Sequence, residues 1–147
     1  MPTDSAPTIV RSSRDPSIIN HYHAHVYYDP ASTRDRAAGL RQSVASAFPE
    51  VTLGRWHDEH VGPHLQSMYQ LAFPCASFGS FVPWLMLNRV GLTILVHPGT
   101  GNPYADHTDH AVWLGNILPL RLAVLEGRPP AASDVRGMGT DGSASDL

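Results

Sequence analysis

The sequence has little positive charge, a single cysteine and no long apolar run. Its 147 residues include 10 Lys+Arg and 13 Asp+Glu, which gives a net charge of −3 with neutral histidines. Proteins that follow the phosphate backbone of nucleic acids need an excess of clustered positive charge. The composition therefore argues against a nucleic-acid partner.

The usual sequence signals for export and for membrane insertion are also missing. The lone Cys75 cannot form an internal disulfide or a cysteine-ligated zinc or iron–sulfur site. No apolar run approaches the roughly 18–20 residues that span a bilayer, and Met1 to Val10 has no basic flank followed by an apolar stretch. We therefore expect a soluble, cytoplasmic protein with no membrane partner.

The aromatic residues separate a folded part from two tails. All of them lie between Tyr22 and Trp113, and burial of such side chains is what offsets the entropy cost of folding. Residues 1–17 are rich in Pro, Ser and Thr, and residues 128–147 in Pro, Gly, Ser and Asp. We expect disordered tails over 1–17 and 128–147 and one domain over 18–127.

Hydrophobic periodicity predicts six elements in this domain. Alternation with β-branched and aromatic residues favours strands, and apolar residues every three to four positions favour helices. The predicted elements are the strand Tyr22–Tyr28, the helix Ala31–Phe48, a hairpin of strands Val51–His57 and Gln66–Phe73, the helix Ser77–Arg89 and the strand Leu92–His97. The order β-α-β-β-α-β is that of the split βαβ motif. It predicts an α+β, ferredoxin-like fold with a four-stranded antiparallel sheet and both helices on one face.

The other face of this sheet needs a cover, because an exposed apolar sheet face is unstable in water. A C-terminal extension over residues 98–127 can supply part of it. We expect a loop through His107, a short helix near Asp109 to Leu114 and an apolar segment from Leu118 to Leu125. A second subunit would cover the rest, so we expect a homodimer.

Nine histidines are the most unusual feature of the composition. Imidazole serves both metal ligation and proton transfer near neutral pH, although scattered surface histidines are the simpler explanation. His23 and His25 share one face of the first strand, because side chains two residues apart point the same way. Such a strand can present two imidazoles to one ion, or carry two unconnected histidines on a solvated face.

Two further histidines lie beside residues that restrict the backbone. Gly62-Pro63 fixes a turn that would deliver His64 beside the sheet, although a plain turn histidine is equally consistent. His97 ends the fourth strand before Pro98. In the split βαβ order the first strand lies between the third and the fourth, so imidazoles from these places can converge on one metal ion.

Other candidates are better explained by structure than by chemistry. The run His57–His60 is typical of a solvated loop that could reach over a site, and the three tryptophans Trp56, Trp84 and Trp113 of core or pocket wall. Arg89 suits the end of a helix, although it could hold a substrate carboxylate. Cys75 is expected to be a buried small residue. We find no phosphate-binding glycine loop, nucleophile elbow or Ser/His/Asp pattern.

Several motifs in register resemble the DOPA 4,5-dioxygenase family, over about residues 20–125 of this chain. The segments that carry the resemblance are Tyr22-His23-Ala24-His25-Val26-Tyr27-Tyr28, Val61-Gly62-Pro63-His64, Pro83-Trp84-Leu85-Met86-Leu87-Asn88-Arg89, Leu95-Val96-His97-Pro98 and Asp106-His107-Thr108. The resemblance implies a ferredoxin-like domain, a non-haem Fe(II), and extradiol cleavage of a catechol such as DOPA with O2. Zinc or another divalent metal could occupy the same site in the isolated protein.

Carried over to this chain, the resemblance makes His25, His64 and His97 the metal ligands, with His23 as a fourth candidate. It gives His107 an acid–base role that His23 could share. A carboxylate from Asp106 or Glu59 could complete the metal site instead, as in many ferrous oxygenases.

Two departures and two rival functions accompany this interpretation. His60 and Leu65 stand where the family favours prolines around the turn, which bears on substrate choice.

One rival function is that of a ferredoxin-like dimer that binds a metal or a small aromatic ligand without catalysis. The other is a structural module whose sheet pairs with a partner.

Overall fold

The computed structural model describes residues 13–126, so most of the two predicted tails lies outside the described part. Alternating apolar positions form strands, and the apolar stripes form helices, in the predicted order. The elements are β1 (His21–Tyr27), α1 (Arg34–Ala47), β2 (Thr52–Leu53), β3 (Met68–Phe73), α2 (Phe78–Asn88), β4 (Ile94–Gly99), α3 (Pro103–His107) and β5 (Val112–Leu114). Short 3-10 turns cover Pro16–Ile18, Cys75–Ser77 and Leu122–Leu125.

The strands form one antiparallel sheet in the order β2-β3-β1-β4-β5. The first four follow the ferredoxin-like order, which confirms the predicted fold class and the β2–β3 hairpin. β5 is an addition that pairs with the edge of β4. The two central strands of the histidine motifs, β1 and β4, are therefore neighbours.

Strict alternation along the strands gives the sheet two different faces. Ala24 and Val26 of β1 point to one face and pack with buried residues of α1 and α2, such as Leu40 and Leu85. This helix-side core is the larger of the two hydrophobic clusters. It contains the apolar side chains on one face of β3 and β4: Tyr69, Leu71, Phe73, Ile94 and Val96.

The opposite face carries the histidines and a smaller apolar cluster. Tyr27, Met68 and Leu95 form this second cluster, and the segments around Val61 and residues 111–120 pack on it. The C-terminal extension therefore covers part of this face, as predicted. In the described residues no helix is long and apolar enough to cross a membrane.

Several local predictions are wrong, including the loop through His107, which is the last residue of α3. The short helix lies at Pro103–His107 instead of near Asp109 to Leu114, because Asn102 caps its first turn by accepting a hydrogen bond from the Ala105 N–H. Val112–Leu114, with a β-branched and an aromatic residue, pairs with β4 as a strand.

Cys75 is exposed instead of buried, because it lies in the 3-10 turn before α2 and its thiol donates outward to the Ile19 carbonyl. The predicted strand Val51–His57 is reduced to Thr52–Leu53, and His57 pairs with Met68 only as an isolated bridge.

Candidate metal centre

The sheet register brings the strand histidines together. His23 and His25 lie on the same face of β1, and His97 of β4 is directly opposite His23. The His25 and His97 Nε2 atoms are 3.0 Å apart, although 72 residues separate them in the chain. The predicted convergence of β1 and β4 histidines is thus a property of this structure.

His64 reaches the same face from the turn that follows Gly62-Pro63. Gly62 adopts a positive φ of 59°, which favours glycine. The ring of Pro63 fixes the φ angle of the residue that precedes His64. The C-terminal extension holds this turn from outside, because the Arg121 N–H donates to the Pro63 carbonyl at 2.7 Å and Leu120 forms a bridge with His64. The position of His64 therefore depends on residues near the end of the described chain.

His107 comes from α3, which packs at the end of β4. The Asp106 carboxylate accepts hydrogen bonds from the Thr100 N–H at 2.9 Å and the Thr100 hydroxyl at 2.6 Å. Asp106 therefore acts as a tether that fixes α3, and with it His107, against β4. Glu59, the other carboxylate considered as a ligand, is exposed in its loop.

Five imidazoles meet in a buried cluster that we call the imidazole cluster. Each is between 0% and 6% exposed. Ring centroids are 4.2 Å apart for His25 and His64, 4.0 Å for His97 and His107, and 5.1 Å for His23 and His97. The structure thus brings every predicted ligand and acid–base residue into one place.

Within the cluster, two groups of three have ligand atoms within 4.8 Å of one another. One group is His23, His25 and His97, and the other is His25, His64 and His107. Neither group, within residues 13–126, includes a carboxylate. The expected set of His25, His64 and His97 draws on both groups, and His25 is the member that they share.

Backbone carbonyls fix which nitrogen of two rings carries the proton. His97 Nδ1 donates to the Pro98 carbonyl at 2.9 Å, and His107 Nδ1 donates to the Pro103 carbonyl at 2.8 Å. A neutral ring that donates through Nδ1 has its lone pair on Nε2. Nε2 of both rings is therefore the nitrogen that can accept a hydrogen bond or bind a metal ion.

Burial keeps His23 and His25 uncharged. Loss of solvation, together with repulsion from His21 and His107, lowers the pKa of His23 to about 3. Burial, and then the four neighbouring imidazoles of the cluster, lower the pKa of His25 well below its ordinary value. Neutral imidazole is the form that binds metal ions.

The donor set fits a divalent transition-metal ion. Buried neutral imidazoles are typical ligands of iron, zinc, copper and nickel. Two nitrogens at right angles around an ion, each about 2.1 Å from it, would be roughly 3.0 Å apart, which is the separation of the His25 and His97 Nε2 atoms. His23 Nδ1 is also buried without a hydrogen-bond partner in the described structure, as expected of a site that receives a further group.

The remaining candidates lie outside the cluster. Trp56 and Trp84 pack on the helix-side core and Trp113 on the second cluster, as predicted for core or wall residues. Arg89 caps α2 and donates to the Leu92 carbonyl at 2.8 Å, which is a structural role. In the run His57–His60, His57 is buried by its bridge to Met68 and the other three residues are exposed.

Tyr27 is a site residue that sequence reasoning missed. Its hydroxyl forms a 2.6 Å hydrogen bond with His64 Nδ1 in the interior, and burial raises the pKa of the phenol. Strand alternation could have indicated it, because Tyr27 is two residues after His25 on the same face.

Tyr27→Phe is expected to weaken metal binding by about 10- to 100-fold, because hydrogen bonds to the far nitrogen of a metal-binding histidine orient the ring and raise its basicity. Competition with a chelator measures this affinity. Tyr69→Phe is the matched control, since the Tyr69 hydroxyl donates to the Ala37 carbonyl on the other face of the sheet. An equal loss of affinity in both variants would contradict the role given to Tyr27.

Comparison with known proteins gives a consistent picture. The model of the Dopa 4,5-dioxygenase family matches residues 22–124. A DOPA 4,5-dioxygenase of Amanita muscaria is 35% identical over 116 residues, which cover 74% of this chain and 51% of that protein. An uncharacterised 21.2 kDa protein of Botryotinia fuckeliana is 33% identical over 122 residues, or 76% of this chain and 67% of that one.

A solved structure is similar over the same region. It is the crystal structure of a proposed dioxygenase from Nostoc punctiforme, with 50% sequence identity and a TM-score of 0.74. The match covers 77% of this chain and 96% of that one. By contrast, this chain spans only about half the length of the Amanita protein.

Proposed function

The chain belongs to the Dopa 4,5-dioxygenase family, and from this membership and the imidazole cluster we propose that it is a non-haem Fe(II) extradiol dioxygenase. The proposed reaction opens the ring of a catechol, such as DOPA, beside its two hydroxyl groups. Both atoms of O2 enter the product, and the ring carbons are oxidised as O2 is reduced.

The observation that carries the proposal is the cluster of five buried imidazoles, whose groups of three include no carboxylate within residues 13–126. Uncharged imidazoles bind Fe(II) while leaving its positive charge largely uncompensated, which favours an anionic ligand such as a deprotonated catechol. His25, His64 and His97 are the proposed ligands. Bound Fe(II) would supply a Lewis acid and a path for electrons between the catechol and O2.

The protein would contribute position and proton transfer. The His107 ring is held by its own bond to the Pro103 carbonyl and by the Asp106 tether, so its Nε2 lone pair is presented at a fixed place. A neutral imidazole near a catechol hydroxyl can accept its proton and return it to the product. His107 is the proposed acid–base residue, and His23, with an unbonded Nδ1, is the second candidate.

Turnover after anaerobic reconstitution tests the proposal. The protein is loaded with stoichiometric Fe(II), mixed with DOPA, caffeate, protocatechuate or catechol, and exposed to O2 in an oxygen electrode. We expect one O2 consumed per catechol and a coloured ring-opened semialdehyde. In 18O2, both labels are expected in freshly formed product.

Stoichiometric iron without O2 consumption would replace this proposal with a protein that binds a metal or aromatic ligand without catalysis. Failure to bind any divalent metal would favour the structural module. The homodimer and the cytoplasmic location remain predictions, and sedimentation and cell fractionation test them.

A further inference from the structure

One side of the imidazole cluster is formed by β3, which contributes no histidine. Met68, Gln70 and Ala72 alternate with the helix-side residues of β3, so they face the cluster. In the sheet register Gln70 is directly opposite His25, and Ala72 is directly opposite His23. Side chains at directly opposed positions on one face are in contact range. Gln70 and Ala72 therefore border the cluster.

Gln70 is a buried polar residue with an unsatisfied atom. It is 2% exposed, and its Oε1 has no hydrogen-bond partner within the described chain. Buried acceptors are nearly always paired, because the lost hydration is otherwise uncompensated. Met68, two residues earlier on the same face, is fully buried, so an unbranched apolar side chain fits this surface. An unpaired amide oxygen in such a place points to a ligand that supplies the donor.

Ala72 is a small residue beside Gln70 on the same face of β3. Its methyl group is the smallest side chain on this part of the face, and it is only half-buried. Thr52, its partner on β2, is exposed. Ala72 is therefore less covered than its neighbours Gln70 and His23, which are 2% and 6% exposed, and we call this small-residue position between them the recess.

Each of the two residues beside this recess carries a buried polar atom without a hydrogen-bond partner in the described structure. Gln70 Oε1 lies on one side and His23 Nδ1 on the other. A cavity of about 370 Å³ at the edge of β4 is a rival location. Among its lining residues only His97 belongs to the cluster, and Tyr22, Phe78 and Val96 come from the helix side of the sheet.

We propose that the recess over Ala72 holds the aromatic ring of the substrate, with Gln70 Oε1 accepting a hydrogen bond from the one hydroxyl that a singly deprotonated catechol keeps. The inference rests on the proposed function and adds the place and the orientation of its substrate. The ligand class is a small planar phenol with an adjacent hydroxyl. Gln70 is then a substrate-orienting residue, and Ala72 sets the room available to the ring.

Anaerobic titration with 4-nitrocatechol, whose visible spectrum changes on binding, tests Gln70 in the iron-loaded protein. Gln70→Met is expected to raise the Kd about tenfold, as for loss of one buried hydrogen bond. The iron content should stay at the wild-type level. The thermal midpoint of the ligand-free protein should be unchanged or higher, because the variant removes an unsatisfied acceptor. A merely structural glutamine would instead lower the midpoint and leave the Kd unchanged.

Two further variants keep the test decisive. Gln70→Asn retains the amide but withdraws it by one methylene, so it should also weaken binding. Ala72→Leu fills the recess and should weaken 4-nitrocatechol binding by more than tenfold without loss of iron. Leu71→Met, a volume-conserving change on the other face of β3, is the control and should leave the Kd unchanged.

The outcomes separate this inference from the proposed function. If wild type turns over catechols while Gln70→Met and Ala72→Leu keep the wild-type Kd and KM, the inference is overturned and the function stands. Weaker binding in both variants, with wild-type iron, supports the inference. If the wild type binds 4-nitrocatechol with this dependence on Gln70 but consumes no O2, the recess stands and the dioxygenase proposal fails. No binding to wild type overturns the inference.

Discussion

His25→Ala is expected to abolish metal binding and to reduce O2 consumption with catechols by roughly a thousandfold or more, as for loss of several kcal/mol of metal-ion catalysis. His25 is fully buried and is the one residue shared by both groups of three imidazoles. Its removal therefore disrupts each group at once. Metal content per chain after loading and dialysis, and O2 uptake, measure the two effects.

His60→Ala is the control, because His60 is exposed in the loop outside the cluster and should keep its metal. His97→Ala and His107→Ala then separate the two roles. We expect His97→Ala to lose the metal, and His107→Ala to keep it while turnover falls by about 10²- to 10⁴-fold. Metal retained in His97→Ala and lost in His107→Ala would instead assign the ligands to His25, His64 and His107.

The metal-free protein is expected to lose stability as the pH falls below about 6.5. His23 and His25 have lowered pKa values in the folded state, so they stay neutral there while the unfolded rings take up protons. The unfolded state then binds more protons, and stability rises with pH over this range. For two such rings the free energy of unfolding should fall by about 2 kcal/mol between about pH 6 and about pH 5.

Urea unfolding in the presence of a chelator measures this loss at each pH. His23→Gln removes one of the two rings, so it should reduce the loss by about 1 kcal/mol. Leu71→Met carries no titrating group and should show the full wild-type loss. The same pH dependence in wild type and His23→Gln would contradict the burial of a neutral His23 ring.

Most of the fold could be predicted because the signals are local. Alternation in β1, β3 and β4 and the apolar stripes of α1 and α2 each reflect which side chains meet the same core. The prediction for residues 103–114 is wrong because the structure there depends on contacts that are distant in the sequence. Whether Val112–Leu114 becomes a strand depends on the free edge of β4, which is a tertiary feature that no window of the sequence contains.

The site also divides into features that local sequence signals predict and features that depend on tertiary contacts. The placement of His23 and His25 on one face follows from strand geometry alone, and the convergence with His97 follows from the strand order. The bond from Tyr27 to His64 depends on where a distant turn docks. The unsatisfied amide of Gln70 could be seen only once the register placed it opposite His25.

Leu120 and Arg121, which contact the His64 turn, are synthesised after all the strands that carry the cluster. This order affects when the site can form during synthesis. A nascent chain that still has these residues inside the ribosome already exposes β1, β3 and β4, yet it lacks the anchor for one proposed ligand. If His64 is a ligand as proposed, we expect the metal to bind only after this segment has docked on the turn. For the same reason, we expect cleavage before Leu120 to weaken binding of the proposed metal more than it weakens the pairing of β1, β3 and β4.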